Sequence, residues 1–249
     1  MRFRAVPVWW AILTCSCAGT EPAPDELLAA RVTALEQDLQ RVQKQRDDCL
    51  FETEILNADL AARRDKDMPE RVKAVRRAMG LRIGQGLTAV FQTKLGDVRC
   101  KLAPEWAPET VRNFVELAEG RKSWTDSAGK SQTGALYPGT SFHRVVPGVL
   151  IQGGDPKNDG TGGPGFAIID EIHEKFDRPG MLAMANHGRN TAGSQFFITL
   201  EPSPHLDGKY TIFGECDLGV ARKIASQPAS PEGRPETPVV IDAVRVERG

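Results

Sequence analysis

Within SFHRVVPGVLIQGGD, residues 141–155, two side chains stand out as able to do chemistry. Arg144 carries a guanidinium that stays charged at any working pH and holds its N–H donors in a fixed plane. Gln152 carries an amide that both donates and accepts. Pro147 and Gly148 mark a turn between them, so the flanking segments read as neighbouring strands that bring Arg144 and Gln152 side by side. The apolar run between them supplies a wall, and the polar ends supply a grip.

Competing chemistry is sparse. Four histidines are scattered, and Cys49, Cys100 and Cys216 form no C-x-x-C pair, so neither a metal site nor a cofactor is expected. Gly160 to Gly165, GTGGPG, satisfies G-x-G-x-x-G. A dinucleotide fingerprint needs a strand before it and a helix after it. Here GGDPKND precedes it and Pro164 interrupts it, so it reads as a turn-rich loop bordering a groove. A net charge of −1 gives no attraction to nucleic acid.

The elements that must position the pair change along the chain. Residues 1–17 have a basic start at Arg2 and Arg4 and an apolar run from Ala5 to Leu13. That run has the length of a signal core and falls short of the roughly 20 residues that span a bilayer. A linker covers residues 18–27. Over 28–67, steps of four and three connect Leu28, Val32, Leu35, Leu39, Val42, Arg46, Cys49, Thr53, Leu56 and Leu60, the pattern of a coiled-coil helix. Two parallel copies would form a homodimer that brings Cys49 of each together. Pro69 ends that helix and opens a short one over 69–80, with Val72, Val75 and Met79 on one face and Gly80 as its stop.

From Leu87 onward the period changes. LTAVFQT, GDVRCKL, SFHRVV, GVLIQGG, GMLAMAN, SQFFITL, YTIFGEC and VVIDAVRVE are strand-like runs bounded by turn residues. Two helices interrupt them: APETVRNFVELAEG, with Val111, Phe114, Val115 and Ala118 on one stripe, and DLGVARKIASQ, with Val220 and Ile224 facing in. The fold class is mainly β. The expected form is a closed eight-stranded antiparallel barrel capped by two helices, since closure removes open strand edges, preceded by a long N-terminal α-helix.

Four motifs, FHRVVPGVLIQGGD, GTGGPG, MANHGRNTAGSQFFIT and HLDGKYTIFG, together resemble cyclophilins in order and spacing. The resemblance covers residues 84–249 and implies a barrel-shaped peptidyl-prolyl cis–trans isomerase that takes proline-containing peptides and unfolded proteins. It implies a catalytic role for Arg144 at the prolyl nitrogen, assisted by Gln152. It places the proline ring against Leu150, Phe197 and Leu206, with Phe142 behind them and Val149, His205 and Tyr210 nearby. It assigns the peptide backbone to Ala185, Asn186 and Gln195. Three positions depart from the common pattern: Val149 replaces Phe, His205 stands where many eukaryotic members have Trp, and Tyr210 replaces His. LTCSC resembles the lipobox of bacterial lipoproteins, with Cys17 or Cys15 as the lipidated residue. That implies export to the cell envelope or periplasm and a membrane anchor. Cys100 and Cys216 both fall on strands, and a disulfide between them and two buried thiols remain equally open readings.

Overall fold

A strand with one face in the core shows alternating burial, and Gly96–Leu102 does so from Val98 through Cys100 to Leu102. The computed structural model describes residues 24–249 apart from 83 and 127, with side chains for 31–50 and 67–249 except those two. The signal-like segment, Cys15 and Cys17 lie outside the described residues, as do the side chains of Leu28, Thr53, Leu56 and Leu60.

The element order is α1 (Pro24–Ala78), β1 (Leu87–Thr93), β2 (Gly96–Leu102), α2 (Pro108–Ala118), β3 (Trp124–Thr125), β4 (Ser131–Gln132), β5 (Ser141–Phe142), β6 (Arg144–Val146), β7 (Leu150–Gly153), β8 (Met181–Met184), β9 (Phe196–Thr199), β10 (Ile212–Cys216), α3 (Leu218–Ala225) and β11 (Val239–Arg248). Contacts divide the chain into residues 1–63 and 64–249. In the first unit α1 begins at Pro24, inside the expected linker, because proline's fixed φ suits the first helical turn. Val32, Leu35, Leu39, Val42 and Leu50 form an exposed apolar series along it.

The second unit is a nearly closed antiparallel barrel. Its nine strands run in the order β5-β11-β1-β2-β10-β8-β9-β7-β6, while β3 and β4 form a separate hairpin. The ninth strand arises because the SFHRVV run breaks at His143. Ser141 and Phe142 pair with β11, and Arg144 to Val146 pair with β7. One chain segment thus supplies both ends of the sheet, and that partner change closes the barrel. The interior is aromatic. Phe114 of α2 lies 5.0 Å from Tyr137, 5.3 Å from Phe213 and 5.7 Å from Phe91, measured between ring centres. The α2 stripe of Val111, Phe114, Val115 and Ala118 is buried, as is Ile224 of α3. Val220 is half-buried and packs against the same core. Cys100 and Cys216 face each other across β2 and β10 and are joined as a disulfide.

The expected break at Pro69 does not occur: α1 runs through it to Ala78. An interior proline costs about 3 kcal/mol. Docking of the helix end offsets that cost. Val75 and Met79 are each 3% exposed within the barrel core. Arg71 also reaches Glu171, with Nη2 to Oε1 at 2.6 Å. The compact unit therefore starts well before residue 84.

Glu171 links this docking to α2. The residue before that helix, Ala107, has no side-chain acceptor for the first turn. Glu171 replaces the missing cap, accepting from Thr110 N at 2.8 Å, Thr110 Oγ1 at 2.9 Å and Glu109 N at 3.3 Å. A buried carboxylate at a helix start is favoured by the helix dipole and here also by Arg71. Replacing Glu171 with Ala strands two amides and a guanidinium, and is expected to cost about 3–5 kcal/mol. A urea melt of Glu171→Ala measures this; a midpoint equal to the parent's would refute the capping role.

Candidate functional site

Register places the predicted pair on one line. Arg144 lies opposite Gln152, Gln152 opposite Phe197, Phe197 opposite Ala183, and Ala183 opposite Ile212. Residues directly opposite in a sheet share a face. One rung across five strands therefore passes from a cation through an amide to an aromatic and an apolar floor.

Arg144 is exposed, and among the described residues no acidic side chain pairs with it. Gln152 is half-buried and donates through Nε2 to Gln195 Oε1 at 3.0 Å. Gln195 is fixed in turn, donating to the carbonyls of Gly160 at 3.0 Å and Gly162 at 2.8 Å. Those glycines belong to the loop that mimics a dinucleotide fingerprint. Its shape comes from Asp155, a fully buried carboxylate. Asp155 accepts from the backbone N–H of Lys157 at 2.8 Å, Gly160 at 2.6 Å, and Asp159 and Gly162 at 3.2 Å each. A Cβ at Gly162 would overlap Asp155 Oδ1, so glycine is required there. The loop's chemistry is support for Gln195 and, through it, Gln152. The oxygen of Gln152 has no partner among the described residues, leaving it available to a guanidinium N–H.

A second apolar cluster lies on the outer face of the barrel, apart from the interior core. Phe176, Met181, Ala183, Phe197 and Ile212 form it, with Leu150, Ala185, Leu206, Tyr210 and Trp106 packed around them. Phe197 stacks on Phe176 at 5.8 Å and meets Tyr210 edge-on at 5.2 Å, so its ring is held from two sides. The two adjacent phenylalanines of SQFFI divide as strand alternation requires, Phe196 inward and Phe197 outward. Gln152, Gln195, Ala185 and Asn186 also line a cleft of about 360 Å³ with Pro164 and Thr125.

The remaining predicted residues distribute unevenly. Leu150, Leu206 and Tyr210 border the outer cluster, and Ala185 donates its N–H to Gln195 O at 2.9 Å. The Asn186 amide is spent locally, donating to Lys209 O at 2.9 Å. Val149 is 39% exposed at the tip of the β6–β7 turn, and His205 is exposed on a 3₁₀ turn, Pro204–Leu206. Phe142 is a correction. Its ring is fully buried in the interior and meets Phe196 edge-on at 6.0 Å, so it supports the barrel and does not touch a groove ligand. It is one of the two residues of β5, and inward is the direction its strand gives it.

Sequence reasoning missed Trp106, Phe176, Met181, Ala183 and Ile212. A usable signal existed for two of them: Met181 and Ala183 lie in MLAM, a continuous apolar run of the kind that marks a strand buried on both faces. It also passed over His143 at the strand break. That imidazole is 8% exposed. Burial pushes its pKa below the usual histidine value, against the opposing pull of Asp155.

Comparison with known proteins agrees with this geometry. The family described as cyclophilin type peptidyl-prolyl cis-trans isomerase/CLD matches residues 88–246. Peptidyl-prolyl cis-trans isomerase B of Streptomyces anulatus is 49% identical over 173 residues, covering 66% of this chain and 99% of that protein. Peptidyl-prolyl cis-trans isomerase A of Mycobacterium tuberculosis is 45% identical over 166 residues, covering 64% and 91%. A crystal structure of a cyclophilin type isomerase from Cryptosporidium parvum superposes with a TM-score of 0.56 at 31% identity, covering 65% of this chain and 98% of that one. The same parasite protein has also been crystallised in the presence of the dipeptide Ala-Pro. With the family model matched over residues 88–246 and nearly the whole length of the Streptomyces relative covered, the chain belongs to the cyclophilin-type peptidyl-prolyl cis-trans isomerases.

Proposed function

We propose that Arg144 is the catalytic residue of this isomerase, that Gln152 orients it and the substrate, and that the enzyme works on proline-containing segments of unfolded proteins in the cell envelope. The carrying observation is the rung that joins Arg144, Gln152 and Phe197.

The mechanism follows from the bond itself. Nitrogen donates its lone pair into the carbonyl, which gives rotation a barrier of about 18–20 kcal/mol. For X-Pro the two isomers differ by only about 0.5–1 kcal/mol, so both are populated and exchange slowly. No bond is made or broken. The enzyme has only to favour the twisted amide over both planar forms. The proline ring, mostly CH₂ surface, packs on Phe197, Leu150 and Leu206 and gains by leaving water. Gln152 holds the preceding carbonyl with its second amide N–H. As the bond twists, the lone pair localises on nitrogen, and a guanidinium N–H aimed at it strengthens at that moment only. No acidic side chain among the described residues pairs with that guanidinium, which keeps the N–H uncommitted. The neighbouring peptide lies along Ala185 and Asn186, in the cleft that Gln195 borders.

Several features support an envelope location. The N-terminal sequence has the pattern of an export signal ending in cysteine, and the Cys100–Cys216 disulfide fits an oxidising compartment. Lipidation at Cys17 or Cys15 would anchor the chain. The exposed series on α1 supports pairing with a second copy, and a parallel register would set Arg31 of one helix against Glu36 of the other.

Three outcomes are expected. Arg144→Ala should lower kcat/KM on a short proline peptide by roughly a hundredfold or more, in line with loss of one transition-state donor; an unchanged rate would leave only a proline-binding module. Val149→Phe should raise kcat/KM about threefold, because it extends the pocket wall by an aromatic ring; equal rates would remove Val149 from the pocket. Leu39→Asp should convert a dimer to a monomer in sedimentation equilibrium, whereas a monomeric parent would refute pairing through α1.

A further inference from the structure

We propose that Gly233, which contributes no atom to the groove, is a positioning residue for Arg144, fixing the height of β6 by packing without a side chain against that strand's open edge. The inference rests on Arg144 being the catalytic cation. β6 ends the sheet order, so one edge of Arg144–Val146 has no strand partner. Backbone donors on such an edge need acceptors once buried. Gly233 supplies one: Val145 N donates to Gly233 O at 2.7 Å.

The fit is close. Gly233 is buried and sits at φ +87, in the left-handed region that glycine tolerates. A Cβ there would lie 2.8 Å from Val145 O and 3.4 Å from both Arg144 Cγ and Val146 Cγ2. The first of these is strand backbone, which cannot rotate away. The second is the stem of the side chain whose aim matters.

The loop behind Gly233 is braced. Ser230 N donates to Arg234 O, Gly233 N to Ser230 O and Glu236 N to Pro228 O, each at 2.8 Å. Ser230 Oγ donates to the Glu232 carboxylate at 2.7 Å. The same segment then enters β11, which pairs Val239 with Phe142 and Val240 with Ser141. Residues 228–240 therefore hold the 141–146 run on both sides of its break, by ladder bonds before His143 and by Gly233 after it. A methyl at 233 would press β6 away from the loop and carry Arg144 with it. Misplacing a reacting group by an ångström can cost about a hundredfold.

The test is Gly233→Ala in the full chain. It should lower kcat/KM on a short proline peptide about tenfold, with the loss in kcat and with peptide affinity within about twofold of the parent. Gly80→Ala supplies the control, since Gly80 has φ +69 and nothing within 4 Å of a new Cβ; it bears the backbone penalty and should keep full activity. In an Arg144→Ala background, Gly233→Ala should add no further loss, because a residue acting only through Arg144 is not additive with it. Should Gly233→Ala fail to fold, Ser230→Ala removes the two hydroxyl bonds of the loop, to the Glu232 carboxylate and from Arg234 N, without adding atoms, and should cost about threefold in the parent and nothing in the Arg144→Ala background. Parent-like rates for these loop variants, or a full second loss in the double variant, overturn the proposal. A parent-like rate for Arg144→Ala alone would instead overturn the catalytic assignment beneath it.

Discussion

The fold depends on a change of partners in one short strand. Ser141 and Phe142 pair with β11, Arg144 to Val146 pair with β7, and His143 stands between. A continuous strand keeps the side-chain alternation unbroken. Breaking it at one residue lets Phe142 face the interior while Arg144, two positions on, stands exposed. Closure of the barrel and presentation of Arg144, the proposed catalytic cation, are thus one structural event. His143, at the break, is itself buried.

Around that seam the molecule is a set of nested supports. Asp155 shapes the glycine loop, the loop holds Gln195, Gln195 holds Gln152, and Gln152 shares a rung with Arg144. Phe176 and Tyr210 hold Phe197. Remote from these, Glu171 joins the end of α1 to the start of α2. The last turns of α1 are outside the stretch matched by the family, yet they are part of this chain's core. The catalytic task needs little chemistry and much rigidity, and the chain spends its buried polar groups accordingly.

Much of this was legible in the sequence. All eight strand runs, both capping helices and the Arg144–Gln152 pairing follow from period, turn residues and motif. What was not legible depended on tertiary competition. Pro69 reads as a stop, and only the docking of Val75, Met79 and Arg71 overrides it. The SFHRVV run reads as one strand, because no local rule announces that its two halves have different partners. Motif position sets Phe142 behind the proline-ring residues, whereas the break sends it into the interior. Gly233 carries no signal beyond being a glycine in a turn, since its importance comes from a strand almost ninety residues earlier in the chain.

The central claim is that an uncommitted guanidinium at the barrel seam meets the prolyl nitrogen. A crystal structure of the full chain with a short X-Pro peptide tests it most directly. The account predicts the proline ring on Phe197, the preceding carbonyl on Gln152, and an Arg144 N–H donor about 3 Å from the prolyl nitrogen. An Arg144 side chain turned away from the ring, or paired with a carboxylate while peptide is bound, would contradict it.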